Sequence, residues 1–143
     1  MRQSSNTSRP GSSDTRSLPR WGFQLKPDER RLRCLKLFLD RNQRLPDYIS
    51  PLDTVKHLKS HERTVLDGTS DYLAQLRAHT MNTLRRQYGE DFEETTDVEF
   101  VLTVPAVWSD AAKHATCLAA EMAGLGSRRK LHLINEPEVS FIR

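Results

Sequence analysis

Apolar residues in this chain recur first at helical spacing and later in two short strand-like runs. After Pro27, Leu32, Leu35 and Leu39, with Phe38 beside them, predict a helix over residues 28–40 (DERRLRCLKLFLD). Pro46 and Asp47 mark a turn. Ser50-Pro51-Leu52-Asp53 has the chemistry of a helix start. The serine can cap, proline fits the first helical position, and aspartate suits the positive end of the helix. Leu52, Val55 and Leu58 then form one apolar stripe. Thr64 and Asp67 have capping-box spacing and open a long helix ending at Gly89, with Val65, Tyr72, Leu76, Leu84 and Tyr88 near one face. Gly68 weakens its first turn by about 1 kcal/mol relative to alanine, so a break there is the alternative.

Further on, residues 98–104 (VEFVLTV) are mostly apolar and predict a strand buried on both faces, ended by Pro105. Ser109 caps a following helix that carries Asp110 in its first turn. Ala111, Ala115, Leu118 and Met122 line one face of it, with Ala112, Ala119 and Ala123 beside them. Gly124 is the expected left-handed terminator. Residues 131–135 form a second short strand, and Glu136-Pro137 starts another helix. A strand–helix–strand unit of this length predicts parallel pairing with a right-handed crossover. The fold class is therefore α/β: a mainly helical region, residues 21–97, followed by a βαβ unit, residues 98–143. Two parallel strands make no stable sheet by themselves, so a larger architecture or a supporting partner is expected.

Composition narrows the function classes. A chain of 143 residues with 36% hydrophobic and 29% charged content suits one domain, or part of one, with a lean core. The net charge of +3 equals that of residues 1–20 alone, which hold four arginines and one aspartate. The rest is balanced, which argues against a nucleic-acid surface. Residues 1–20 are polar and low in complexity and are expected to be a disordered basic tail. The tail is Arg- and Ser-rich, as transit peptides are, but Met1 and Leu18 are its only apolar residues, too few for an amphipathic targeting helix. No run approaches the ~20 apolar residues that span a bilayer. Cys34 and Cys117 are isolated and read as reduced intracellular thiols, in keeping with a cytoplasmic protein.

Other candidate chemistry has a plain explanation. His57 and His61 stand four apart on a predicted helix, but no third ligand has suitable spacing, so they read as a solvated face and no metal site is expected. Ser109, Asp110 and His114 form no triad, because the serine is needed as a cap and the spacing separates the groups. Arg128-Arg129-Lys130 is a solvated basic turn. Cys117 fits as a small packed residue.

The stretch LTVPAVWSDAAKHATCLAAEMAGL, followed by LHLINEPE, resembles the 70-kDa heat-shock chaperone family of the actin-like ATPase superfamily. The resemblance is to its divergent, fungal-type relatives. Val104-Pro105-Ala106, Trp108, Ser109-Asp110, Ala123-Gly124-Leu125 and Ile134-Asn135-Glu136-Pro137 match the family in order and spacing. Asp71-Tyr72-Leu73 in the long helix, then Tyr88-Gly89, is similar to the divergent relatives. The resemblance covers residues 21–143 and implies a partial actin-like ATPase (ribonuclease H-like) domain. It implies ATP and magnesium as cofactors of the parent activity, ATP hydrolysis coupled to protein folding, and chaperones or co-chaperones as partners.

By the same resemblance, Glu136 points at the metal and attacking-water region and Lys36 lies near the phosphates. Pro105 acts as a switch between nucleotide site and domain interface, working with Lys113. Read from the residues alone, Glu136 is an acid between the carboxyl end of a strand and a helix N-terminus, Pro105 is a strand terminator, and Lys36 is a solvated lysine. The chain also departs from the family. The family's opening D-x-G-T phosphate loop has no match here. Its second phosphate loop, adenosine-binding motif and peptide-binding domain would lie after Arg143. The expectation is a truncated relative holding at most one carboxylate and one lysine of the catalytic set, and so inactive alone. The alternatives are a non-enzymatic interaction module and a degenerate gene-model fragment without independent function.

Overall fold

The computed structural model describes residues 20–29, 31–126 and 129–136. The expected tail disorder and the helix expected from Glu136-Pro137 onward lie outside the described residues. Local chemistry sets the helix starts. At the head of α1 (Pro51–Ser60), the Ser50 hydroxyl accepts from the Asp53 amide at 3.3 Å and proline takes the first position. At the head of α2 (Val65–Tyr88), Thr64 Oγ1 accepts from the Asp67 amide at 3.1 Å while Asp67 Oδ2 accepts from the Thr64 amide at 2.9 Å. This is the capping box. α2 runs through Gly68 without a break and ends at Gly89, whose φ of 111° favours glycine. A short α3 (Phe92–Thr95) follows.

Residues 28–40 differ from expectation. They form no α-helix; a 3-10 turn at Leu35–Phe38 is their only helical element among the described residues, and Cys34 before it has φ 55°. The leucines are drawn to separate neighbours instead. Leu32 and Leu35 press on α2 at Gly68, where the tip of Leu35 lies 3.3 Å from the place a Cβ would occupy. Leu39 packs with Val104, Trp108 and Ala112.

β1 (Phe100–Pro105) pairs in parallel with β2 (Leu131–Glu136), in register from Phe100 opposite Leu131 to Pro105 opposite Glu136. The expected strand buried on both faces is not found. Phe100, Leu102 and Val104 face inward, whereas Val101 is 56% exposed and Thr103 lies open. The main core cluster lies between α2, α4 (Asp110–Met122) and the sheet, and draws on Leu73, Ala119, Ala120, Leu125 and Leu131.

α4 (Asp110–Met122) starts where the Ser109 hydroxyl accepts from the Ala112 amide at 3.3 Å. It ends in a Schellman arrangement: Gly124 (φ 77°) donates to Glu121 O and Leu125 donates to Ala120 O, each at 3.0 Å. The buried faces of both amphipathic helices differ in part from those expected: on α4 and at its C-cap the expected Ala112, Ala119 and Ala123 are buried, but the larger members of the stripe are not. α4 turns Ala112, Thr116, Ala119 and Ala120 inward and leaves Leu118 and Met122 substantially exposed. α2 buries Gly68, Thr69, Ser70, Leu73 and Met81 and leaves Tyr72, Leu76 and Tyr88 outside. Small residues win these positions because they let neighbours approach closely: Gly68 meets Leu35, Leu58 and Leu32, and the α4 alanines meet α2 and the sheet. The Thr69 hydroxyl is accommodated by donating to Val65 O at 2.8 Å. The displaced aromatics pack locally: Tyr72 edge-on to Trp21 at 5.9 Å, and Tyr88 stacked on Phe92 at 5.5 Å. On α1 only Leu58 is buried; Leu52 and Val55 are exposed.

Candidate functional site at the carboxyl ends of the strands

Parallel strands present their carboxyl ends together, and here that end carries the chain's convergent polar groups. Strand alternation puts Thr103 and Glu136 on the same outer face, and the Thr103 hydroxyl donates to Glu136 Oε1 at 3.3 Å. Lys36, on the Leu35–Phe38 turn, passes over the Trp108 ring with its ammonium 5.6 Å from the centroid. It donates to the Thr103 carbonyl at 3.3 Å and to Glu136 Oε1 at 2.5 Å. The two sequence-singled residues, 100 positions apart, thus form one ion pair. The hydrogen bond from Lys36 holds the Glu136 carboxyl below its ordinary range; desolvation opposes this, and the charge of Lys36 and the Thr103 hydroxyl add to the lowering. Glu136 is therefore a carboxylate at neutral pH and an acceptor rather than an acid. The pair is more than a third exposed on both sides, so solvent screens it strongly.

A buried layer supports the pair. Trp108, 3% exposed, donates from Nε1 to Gln43 Oε1 at 2.7 Å. Asp40, 6% exposed, accepts from the Asn42 amide at 3.2 Å, the Ser109 amide at 3.3 Å and the Ser109 hydroxyl at 3.1 Å. Burial pushes the Asp40 carboxyl up, but the hydrogen bonds from Asn42 and Ser109 outweigh it and hold the group below its ordinary value. Asp40, Gln43 and this use of Trp108 are not marked by any motif or spacing in the sequence. The available signal was an acid closing an apolar run, which needs donors if it is buried. A helix N-terminus such as that at Ser109 supplies them.

Pro105 lies opposite Glu136 in the ladder, and its carbonyl accepts from the Trp108 amide at 3.1 Å. Lys113 sits in the first turn of α4, half-buried; among the described residues its side chain makes no hydrogen bond or ion pair with Lys36 or Glu136. The site therefore gathers Lys36, Glu136 and Pro105 and leaves Lys113 outside. The His57 and His61 rings stand 4.8 Å apart, and His61 Nδ1 lies 2.9 Å from His57 O. No group of three or more metal-capable side chains occurs among the described residues. Cys34 and Cys117 are unbridged, the first exposed and the second half-buried.

An open cleft of about 1400 Å³ borders Lys36 and Thr103; its surface is mostly apolar, with Trp21, Leu32 and Leu39 beside charged side chains such as Arg31, Arg63 and Asp71. The donor set beside it fits a magnesium nucleotide only in part. Lys36 can meet a phosphate oxygen as a point charge. Glu136 is the single carboxylate of the pair, whereas magnesium needs near-octahedral oxygen coordination. The described residues do not form a complete site for that group.

A family model described as Hsp70 protein matches residues 54–140. The chain is 36% identical over 92 residues to the mitochondrial-type heat shock protein 70 of Encephalitozoon hellem, a match covering 64% of this chain and 15% of that protein. It is 38% identical over 73 residues to heat shock 70 kDa protein 12A of Mus musculus, and 37% identical over the same length to that of Homo sapiens; each covers 49% of this chain and 11% of the relative. The chain thus spans 15% or less of the length of these curated relatives. No solved structure matches it.

Proposed function

The chain belongs to the Hsp70 protein family, and on that premise we propose that it carries an interior portion of an actin-like, ribonuclease H-like ATPase domain. In this reading residues 98–143 supply the βαβ centre and residues 21–97 the helical flank, after a basic tail over residues 1–20. The parent activity is ATP binding and hydrolysis, with magnesium, coupled to protein folding alongside chaperone or co-chaperone partners. We place the protein in the cytoplasm; among the described residues no helix is long and apolar enough to cross a membrane.

The observation that carries this reading is the meeting of Lys36 and Glu136 at the carboxyl ends of parallel strands. Open α/β sheets gather their ligands there. Lys36 is the group suited to a phosphate oxygen, and Glu136, kept ionised, is suited to accept a hydrogen bond from a water. Pro105, paired with Glu136 across the ladder, links the site to α4 through the turn at Trp108 and Ser109, and Lys113 is the proposed basic partner on that helix.

Phosphoryl transfer needs several groups placed around the phosphate, and one lysine with one carboxylate is not that set. The 143-residue chain alone is therefore expected neither to bind ATP tightly nor to hydrolyse it. Titration calorimetry with magnesium and ATP, followed by a phosphate-release assay, tests this. No heat at micromolar nucleotide and no phosphate is the expected result; a clear micromolar isotherm or turnover contradicts it.

A second reading is a non-enzymatic interaction module. It is favoured by Leu118 and Met122 on the outer face of α4 and by Val101 and Ile134, half or more exposed on the outer face of the sheet. Recovery of a complex of defined stoichiometry with a purified chaperone, lost on Met122→Glu, supports it; no complex sinks it.

A further inference from the structure

We propose that Asp40 is a positioning residue for Lys36: its buried carboxylate, held by Ser109 at the start of α4, fixes the turn that brings Lys36 to Glu136. The inference rests on the reading of Lys36 and Glu136 as the functional pair.

Lys36 sits on a four-residue 3-10 turn, and among the described residues no strand pairing holds the segment before or after it. Its ion pair with Glu136 is exposed on both sides and screened by water. Such a pair does not hold a loop in place; it forms when the loop is already placed. Asp40 lies four residues on from Lys36 and is buried. An ionised group there is costly unless its lone pairs are met, and three donors meet them: Asn42 N–H, Ser109 N–H and Ser109 Oγ–H. The Ser109 hydroxyl is used twice, donating to Asp40 Oδ1 and accepting from the Ala112 amide as the cap of α4.

The loop is thus pinned to the helix start itself. Two further contacts act in the same place: Gln43 accepts from Trp108, the residue under the Lys36 ammonium, and Leu39 packs on Val104 and Ala112. Asp40 is the charged member of this anchor and the one bonded directly to the turn after β1. Loss of its carboxylate leaves the Ser109 hydroxyl and amide to water and loosens the Lys36 turn on its α4 side, while Leu35 still seats the other side on α2 at Gly68.

Competitive acylation of lysines at neutral pH in the full chain, read by peptide mass spectrometry, tests the inference. Lys36 is compared with Lys56, an exposed residue of α1 far along the chain. Glu136→Gln is expected to raise the relative labelling of Lys36 about threefold, the scale of a screened pair. Asp40→Ala should produce a similar rise with Lys56 unchanged, and Asp40→Ala with Glu136→Gln together should add nothing beyond Glu136→Gln. Asp40→Asn, which keeps one acceptor oxygen, should fall between wild type and Asp40→Ala.

If Glu136→Gln raises Lys36 labelling and the Asp40 variants do not, the positioning role is overturned while the pair stands. An unchanged Lys36 in Glu136→Gln overturns the pair and the inference with it. A rise in Lys56 labelling in Asp40→Ala would mean general unfolding. Ser109→Ala, which removes the hydroxyl's bond to Asp40 and its cap of α4 but keeps the Asp40 carboxylate, then decides: a rise confined to Lys36 supports the role, and none overturns it.

Discussion

Gly68 and Leu35 pack so closely that a Cβ on residue 68 would lie 3.3 Å from Leu35 Cδ1, and equally close to Leu58 Cδ2. Here an intrinsic helix penalty is traded for a tertiary contact, and the loop that carries Lys36 is seated on α2. Helix propensity alone predicts that Gly68→Ala gains about 1 kcal/mol. The crowding opposes that gain, and because both neighbours are side-chain tips that can give slightly, Gly68→Ala is expected to be nearly neutral. Gly68→Val adds branching the pocket cannot accept and should cost about 1–3 kcal/mol. Urea unfolding of the two variants checks both values.

The faces of α4 make an independent prediction. Ala119 is completely buried while Leu118, beside it in sequence, is 39% exposed. Ala119→Leu should overpack the contact with α2 and cost about 1–3 kcal/mol. Leu118→Ala should change stability by about 0.5 kcal/mol or less. A large loss from Leu118→Ala with little from Ala119→Leu would place the core on the other face.

Acid should destabilise the fold through identifiable carboxylates. Asp67 is held below its ordinary value first by the Thr64 amide, then by the Thr64 hydroxyl, against desolvation and with help from Arg63. Asp40 and Glu136 are also lowered. A depressed native pKa means that the unfolded chain binds more protons in the acid range. The stabilisation is present above the unfolded carboxylate value of about 4 and is lost as pH falls through the lower native values. Stability should therefore be flat near neutrality and fall below about pH 4. Thr64→Ala should cost about 1 kcal/mol at pH 7 as a lost cap, and both Thr64→Ala and Asp40→Asn should flatten the acid limb. Denaturant midpoints between pH 2.5 and 7 measure it.

Contributions differ in how local they are, and this explains what could be read from the sequence. Ser50, Thr64–Asp67, Ser109 and Gly124 act within one helical turn, and their caps and terminator are found where the letters place them. The parallel βαβ pairing follows from strand and helix lengths and is likewise found. What the letters could not settle was which neighbour an apolar group meets. Leu32, Leu35 and Leu39 have helical spacing but are claimed by α2 on one side and by Val104 and Trp108 on the other. On α2 the bulky residues suggested the buried face, whereas close approach favoured Gly68; on α4 Ala112 and Ala119 lie inside as their spacing suggested, but Leu118 and Met122 do not.

The same holds at the site. Glu136 was marked by its strand end, but the contact with Lys36 spans 100 residues and depends on a loop that has no regular structure to announce it. Asp40 was silent because a buried acid is recognised only once its donors are in view.

The contact between Lys36 and Glu136 is directly observable by side-chain NMR of the full 143-residue chain. A sample labelled at lysine and glutamate should give a nuclear Overhauser cross-peak between the Hε protons of Lys36 and the Hγ protons of Glu136, abolished by substitution of either residue. Lys36 Hε protons at solvent-exposed shifts with no cross-peak to Glu136, in a chain whose strand amides show the parallel register, would contradict it.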